Sequence, residues 1–194
     1  PLVVLLGRGE HQIASSFTNT NGYEDLTILS ITCSNITFLG KGKDTTAILG
    51  GFRIDNVENI TFKNMTVTNT SPGDCGIRMR NAKVELFDIA LKGCRDTGLL
   101  IPSSNSNSAT ILVATRCEFA NSNYGAVLEG SLTSATFKNC LFNYNSIDGI
   151  NVSESTIHLH GEATAIDSNG INGIHAHTSS KVIIHLPSNH NTIY

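Results

Sequence analysis

The sequence predicts an all-β solenoid: one domain built as a single-stranded parallel β-helix, with three short strands per coil and about seven coils. Three observations carry this. A Gly-led apolar run recurs at Gly51 (GFRI), Gly76 (GIRM), Gly98 (GLLI), Gly125 (GAVL), Gly149 (GINV) and Gly173 (GIHA), at intervals of 25, 22, 27, 24 and 24 residues. Two further apolar runs of period two precede each of these glycines. Helical spacing at i, i+3 and i+4 is sustained nowhere. A period of this length defines a stacked repeat, in which each unit buries its apolar face only against its neighbours.

Taken in order, residues 1–34 form an N-terminal strand and cap region, and residues 35–194 the repeated coils. PLVVLL at the start lacks the basic flank and cleavage site of a signal peptide and is too short to cross a membrane, so it is expected to be a strand. The first run of each coil contains Ile36/Phe38, Ile60/Phe62, Val84/Leu86, Ile111/Val113, Ala135/Phe137 and Ile157/Leu159. The second contains Met65/Val67, Ile89/Leu91, Cys117/Phe119, Cys140/Phe142 and Thr164/Ile166. Stacking then predicts inward columns such as Met65, Ile89, Cys117 and Cys140. Asn121, Asn145 and Asn169 each lie four residues before a repeat Gly, which predicts an Asn ladder at that corner. SSNSNS (103–108) reads as a surface loop, as does LGKGKDTTA (39–47).

Composition excludes some functions. The 194 residues are 40% apolar and 15% charged, with net charge −3, so there is no basic footprint for nucleic acid. No apolar run reaches the roughly 18 residues of a membrane span. The five cysteines form no C-x-x-C pair and are read as buried thiols rather than disulfides.

NITFLGKGKDTTAI, the coil FKNCLFNYNSIDGINV and the opening VVLLGRGEHQI together resemble the right-handed parallel β-helix superfamily of pectate lyases and pectin methylesterases. The resemblance covers nearly the whole chain and implies a right-handed coil. By family analogy alone, calcium is the cofactor it brings to mind; the residues themselves indicate none. The N-T-D, D-D, G-H-G and D-P-H-[DE] signatures of the catalytic relatives are absent; NTSPGD (69–74) lacks the spacing. Fold leaves function open. The reading is therefore a non-catalytic repeat protein offering an elongated surface to carbohydrate or protein partners. The alternatives are an enzyme acting on acidic polysaccharides through an unfamiliar site, and a structural segment of a spike or coat that self-associates through its terminal coils.

Alternation along the Gly strand points one column outward through Arg53, Arg78, Leu100, Val127, Asn151 and His175, and a second through Asp55, Arg80, Pro102, Glu129, Ser153 and His177. Candidate ligand-binding residues are Arg53, Asp55, Arg78, Arg80, Glu129, Asn151, His175 and His177. An Arg cluster suits a sugar carboxylate or sulfate, which it can grip bidentately; a solvated mixed-charge face is the plainer reading. Histidines gather in the last coils: His158 and His160 in HLH, His175 and His177 in HAH, then His185 and His190, with Asp167 and Glu162 nearby in sequence. H-x-H on a strand places two imidazoles on one side, but the two pairs fall on different strands and need not converge; no metal site is assigned. Asp88 and Glu118 project from neighbouring coils, offset by one position; as a carboxylate pair they could do acid–base work if one were desolvated, and plain surface on a flat sheet is the simpler reading. N-x-[ST] sequons at Asn35, Asn59, Asn64, Asn69 and Asn151 are compatible with an extracellular or surface location.

Overall fold

The computed structural model of the chain describes residues 1–14, 17–18, 24–25, 27–72, 75–161, 163–185 and 192–193. Its strands, coil by coil, begin with β1 (Leu2–Leu5), β2 (Gly9–Gln12), a small antiparallel pair β3 (Phe17–Thr18) and β4 (Glu24–Asp25), and β5 (Ile28–Ile31). Next come β6 (Ile36–Leu39), β7 (Thr46–Leu49) and β8 (Gly51–Asp55), then β9 (Ile60–Thr68) and β10 (Cys75–Arg80), then β11 (Lys83–Lys92) and β12 (Thr97–Ile101). The later coils are β13 (Thr110–Thr115), β14 (Glu118–Ala120) and β15 (Tyr124–Glu129); β16 (Thr133–Lys138), β17 (Leu141–Asn143) and β18 (Asp148–Ser153); and β19 (Thr156–His160), β20 (Ala165–Asp167) and β21 (Asn172–His177). β22 (Lys181–Ile184) and β23 (Thr192–Ile193) follow. No helix occurs among the described residues, so none is long and apolar enough to cross a membrane.

Every strand except the small hairpin pairs in parallel with its counterpart one coil away. The Gly strands form a seven-stranded sheet, β21-β18-β15-β12-β10-β8-β5. Residues 1–34 take part in this stacking: β1 pairs β6, β2 pairs β7 and β5 pairs β8. The other two runs of each coil belong to one bent 14-stranded sheet, because β9 and β11 continue through the corner without a break. At that corner Asn64, Asp88, Arg116 and Asn139 have φ of 58°, 53°, 54° and 54°. One left-handed residue per coil turns the chain there, and Asn and Asp tolerate this conformation best.

The repeated glycines have a steric cause. A Cβ at Gly125 would lie 2.5 Å from the Gly149 carbonyl oxygen, and one at Gly98 2.7 Å from that of Gly125. The next coil's backbone occupies the space a side chain would need. Inside the solenoid, Phe38 stacks on Phe62 with centroids 4.9 Å apart, and Phe119 on Phe142 at 4.6 Å with Phe137 edge-on to both. The inward column Met65, Ile89, Cys117 and Cys140 is buried as the alternation predicts. All five cysteines are outside disulfides; Cys33 is exposed and the other four are buried. Burial pushes the Cys94 thiol up to about 11 and also raises that of Cys140.

Two expected registers are corrected. In β13 the inward residues are Leu112 and Ala114, while Ile111 and Val113 face outward: Leu112 pairs with Val84 and Ala135. All four residues are apolar, so alternation within TILVAT could not choose, and the ladder to both neighbours did. The Asn corner is also shifted. Asn121 occupies the left-handed position (φ 54°), and the buried Ser122 takes the inward place beside Asn145. The Asn145 side-chain amide donates to the Phe119 carbonyl at 3.0 Å and to Asn169 Oδ1 at 2.9 Å, and its own oxygen accepts from the Ser122 N–H at 3.2 Å. The corner from Phe119 to Gly125 is one residue shorter than that from Phe142 to Gly149, which moves Asn121 out of line. The predicted loop at 103–108 is a loop, held by turns in which Ser104 and Ser106 accept from the N–H groups of Ser106 and Ser108.

Candidate functional site

The outer face of the seven-stranded sheet carries the residues singled out by alternation, in one unbroken register. Pairing aligns Arg53 with Arg78, Arg78 with Leu100, Leu100 with Val127, Val127 with Asn151, and Asn151 with His175. Asp55 aligns with Arg80, and Glu129 with Ser153, which aligns with His177. These side chains all stand on the solvent side of β8, β10, β12, β15, β18 and β21.

At the N-terminal end of this face Arg53 Nε donates to Asp55 Oδ2 at 2.7 Å within β8. Arg80 Nε lies 3.5 Å from Asp55 Oδ1 across the coils, and neither of those two atoms has a hydrogen bond although both are buried. The Arg78 side chain, opposite Arg53 and two residues before Arg80 on the same strand, makes no ion pair or hydrogen bond with any described residue. The cluster therefore holds three guanidinium groups against one carboxylate, with polar capacity left over.

At the C-terminal end the centre is Asp148, which the alternation pattern assigned no role. It begins β18, and its buried carboxylate accepts from Asn151 Nδ2 at 2.9 Å and from Asn172 Nδ2 at 2.7 Å. His175 Nδ1 lies 3.5 Å from the same carboxylate, and His177 Nε2 lies 3.1 Å from Asn151 Oδ1. The signal that could have found Asp148 is its position: strict alternation from Asn151 would direct it into the core, where a carboxylate is not tolerated unpaired. Asp148 instead meets outer-face partners, Asn151 on its own strand and Asn172 and His175 on the next coil.

The Arg cluster and the imidazoles do not meet. Four rungs separate Arg78 from His175, which at the usual strand spacing is about 19 Å. Leu100, Val127 and Pro102 lie between them, and Glu129 Oε2 accepts from the Ser103 N–H at 3.3 Å, holding the polar loop.

Other candidates resolve differently. Asp88 and Glu118 do not act as a pair: Asp88 is held bidentately by Arg116 (2.9 and 2.7 Å), and Glu118 by Lys92 at 2.9 Å. The Arg116 hydrogen bond holds the Asp88 carboxyl below the usual value against the opposing effect of burial. Beside them a groove of ≈ 460 Å³ is lined by Lys43, Arg116, Cys117, Glu118, Asn139, Leu141 and Ala163. His158 and His160 stand on the bent sheet, away from His175 and His177, and are joined there by His185. Partial burial, and then the nearness of His185, Lys138 and His158, keep the His160 imidazole below the ordinary histidine value. Asn69 is buried and bonded to the Cys75 carbonyl, so its sequon is structural. Glu162, His190 and the Gly-Asp end of NTSPGD lie outside the described residues.

Stacked coils, parallel ladders and an inward column at every rung define a single-stranded parallel β-solenoid. The family model for the right handed beta helix region matches residues 3–193, and the chain belongs to that family. A similar solved structure is ORF18 of Geobacillus virus E2, with TM-score 0.43 and 12% identity; the match covers 94% of this chain and 51% of that one. The chain thus spans about half the length of that protein. No curated protein matches the sequence.

Proposed function

We propose that this β-helix is a binding protein whose ligand is an acidic carbohydrate lying along the outer face of the seven-stranded sheet. One observation carries this reading: the Arg78 side chain, unpartnered among the described residues, stands opposite Arg53 on the next coil and two residues before Arg80 on its own strand, and Arg80 Nε is itself without a hydrogen bond. A guanidinium presents parallel N–H donors that match a carboxylate or sulfate, and a bidentate contact of this kind is both directional and strong. The strip beyond it, Leu100 and Val127, offers apolar contact to sugar faces, and Asn151, His175 and His177 offer hydrogen bonds at the far end. An elongated polymer can contact both ends at once, whereas a small molecule cannot bridge about 19 Å.

A glycan array carrying uronate and sulfated polymers tests this. Binding that Arg78→Ala weakens by about tenfold or more, and that rising salt weakens further, is the expected result. Equal binding by neutral glycans, or no loss in the variant, overturns the assignment. A second reading, an enzyme on the same polymers, is favoured by the buried Asp148 beside His175, an arrangement that orients an imidazole for proton transfer. New reducing ends or unsaturated products that vanish in His175→Ala would establish it and displace the non-catalytic reading.

A further inference from the structure

The histidines of the bent sheet are brought together by register rather than by sequence spacing. β19 places His158 and His160 two residues apart on its outer face. β22 stacks on β19 with Leu159 opposite Ile184, and the ladder continues one residue further, since the His185 N–H donates to the Leu159 carbonyl at 3.0 Å. His185 is therefore the neighbour of His160 on the next coil. Their rings stack with centroids 3.7 Å apart and an interplanar angle of 11°, and His158 Nδ1 faces His185 Nε2 at 2.9 Å. One ring nitrogen from each of the three lies within 4.8 Å of the others.

We propose that His158, His160 and His185 bind a divalent late transition-metal ion of the zinc type, with water completing the shell. Three imidazoles and an open position form one of the commonest ligand sets for this ion. Metal–nitrogen bonds of about 2.0–2.1 Å place tetrahedral ligand nitrogens about 3.4 Å apart, so the cluster closes by side-chain rotation that opens the His160–His185 stack and turns the ring nitrogens toward one ion. The rings are also available. Apart from the single contact between His158 and His185, none of the three has a hydrogen-bond partner among the described residues. His175 and His177, by contrast, are committed to Asn151 and Asp148. The chemistry argues against calcium here, because calcium takes oxygen ligands and this cluster offers none. Lys138, beside His160 in the column, is the nearby positive charge, and its flexible stem can carry the ammonium away. Bound metal would join strands one coil apart and fasten β22 to the body of the solenoid.

The test uses the full chain after chelator treatment, titrated with zinc and followed by calorimetry, with cobalt(II) absorption reporting coordination. Expected are one ion per chain, a higher melting temperature with zinc, and visible cobalt bands typical of a four-coordinate site. His160→Ala and His185→Gln should each lower affinity by about tenfold or more, while the control His175→Ala/His177→Ala should leave it unchanged. Circular dichroism of each variant separates lost binding from lost folding, and His185→Gln removes a ring outside any core column. Absence of saturable zinc binding in the folded wild type, or binding that survives His185→Gln or is lost in the control, overturns the proposal.

Discussion

At the scale of single residues, the corner of the bent sheet shows how charge and backbone strain are combined. Arg116 holds a left-handed conformation that arginine rarely adopts, and it does so while gripping Asp88, itself left-handed, and lying over Phe87 with its guanidinium 4.1 Å from the ring centroid. The carboxylate that this pairing favours has its pKa lowered in the folded state. Its contribution is fully present above the unfolded carboxylate value and is lost as pH falls through the lower folded one. Asp88→Asn isolates this effect, because Asn tolerates the same φ, as Asn64 does one coil before and Asn139 two coils after. The variant should be less stable at neutral pH by about 0.5–1 kcal/mol, the pair being largely solvated. Denaturant midpoints measured across pH should show that difference holding above about pH 4 and shrinking below it. A difference that stays constant into acid would mean the charge contributes nothing.

At the scale of an element, the corner between the bent sheet and the Gly strand depends on one amide. Asn145 is buried, donates to Phe119 and Asn169, and accepts from Ser122, so it connects three coils. Asn145→Ala leaves a buried carbonyl and a buried N–H without partners, a loss of about 2–3 kcal/mol. Asn121→Ala, at the exposed left-handed position, removes no such bonds and should cost about 1 kcal/mol through backbone strain. Equilibrium unfolding of the two variants checks the ordering; equal losses would contradict the register described for this corner. The short corner before Gly125 made this pair illegible, since counting back from the glycine puts Asn121, Asn145 and Asn169 in one line. The bonds put Ser122 there instead.

At the scale of the whole molecule, a solenoid leaves its last rungs unpaired. Among the described residues β1 pairs only with β6, and β22 only with β19, while Leu2, Val3 and Leu5 are exposed on the N-terminal strand. An apolar edge strand is a template for pairing with another chain. Concentration-dependent association is therefore expected in sedimentation velocity, and Val3→Lys with Leu5→Lys should shift the chain toward monomer. Association unchanged by the two lysines would move the contact away from this edge.

Much of this architecture was written in the chain. The glycines at 51, 76, 98, 125, 149 and 173, the alternating runs and the buried cysteine column are local regularities, and period-two alternation is enough to assign faces where polar and apolar residues alternate. The outward columns from Arg53 to His175 were legible for that reason. Where alternation carried no contrast, as in TILVAT, or where corners differ by a residue, as before Gly125, only the ladder between coils fixed the register. The same holds for the sites. Sequence placed His158 with His160, but His185 joins them only because β22 stacks one rung above β19. Asp148 reaches His175 only because β21 stacks on β18. Local periodicity determines which side of a strand a residue occupies; which residues of other coils it meets depends on interstrand hydrogen bonds formed in the folded stack, and these the tertiary structure alone decided.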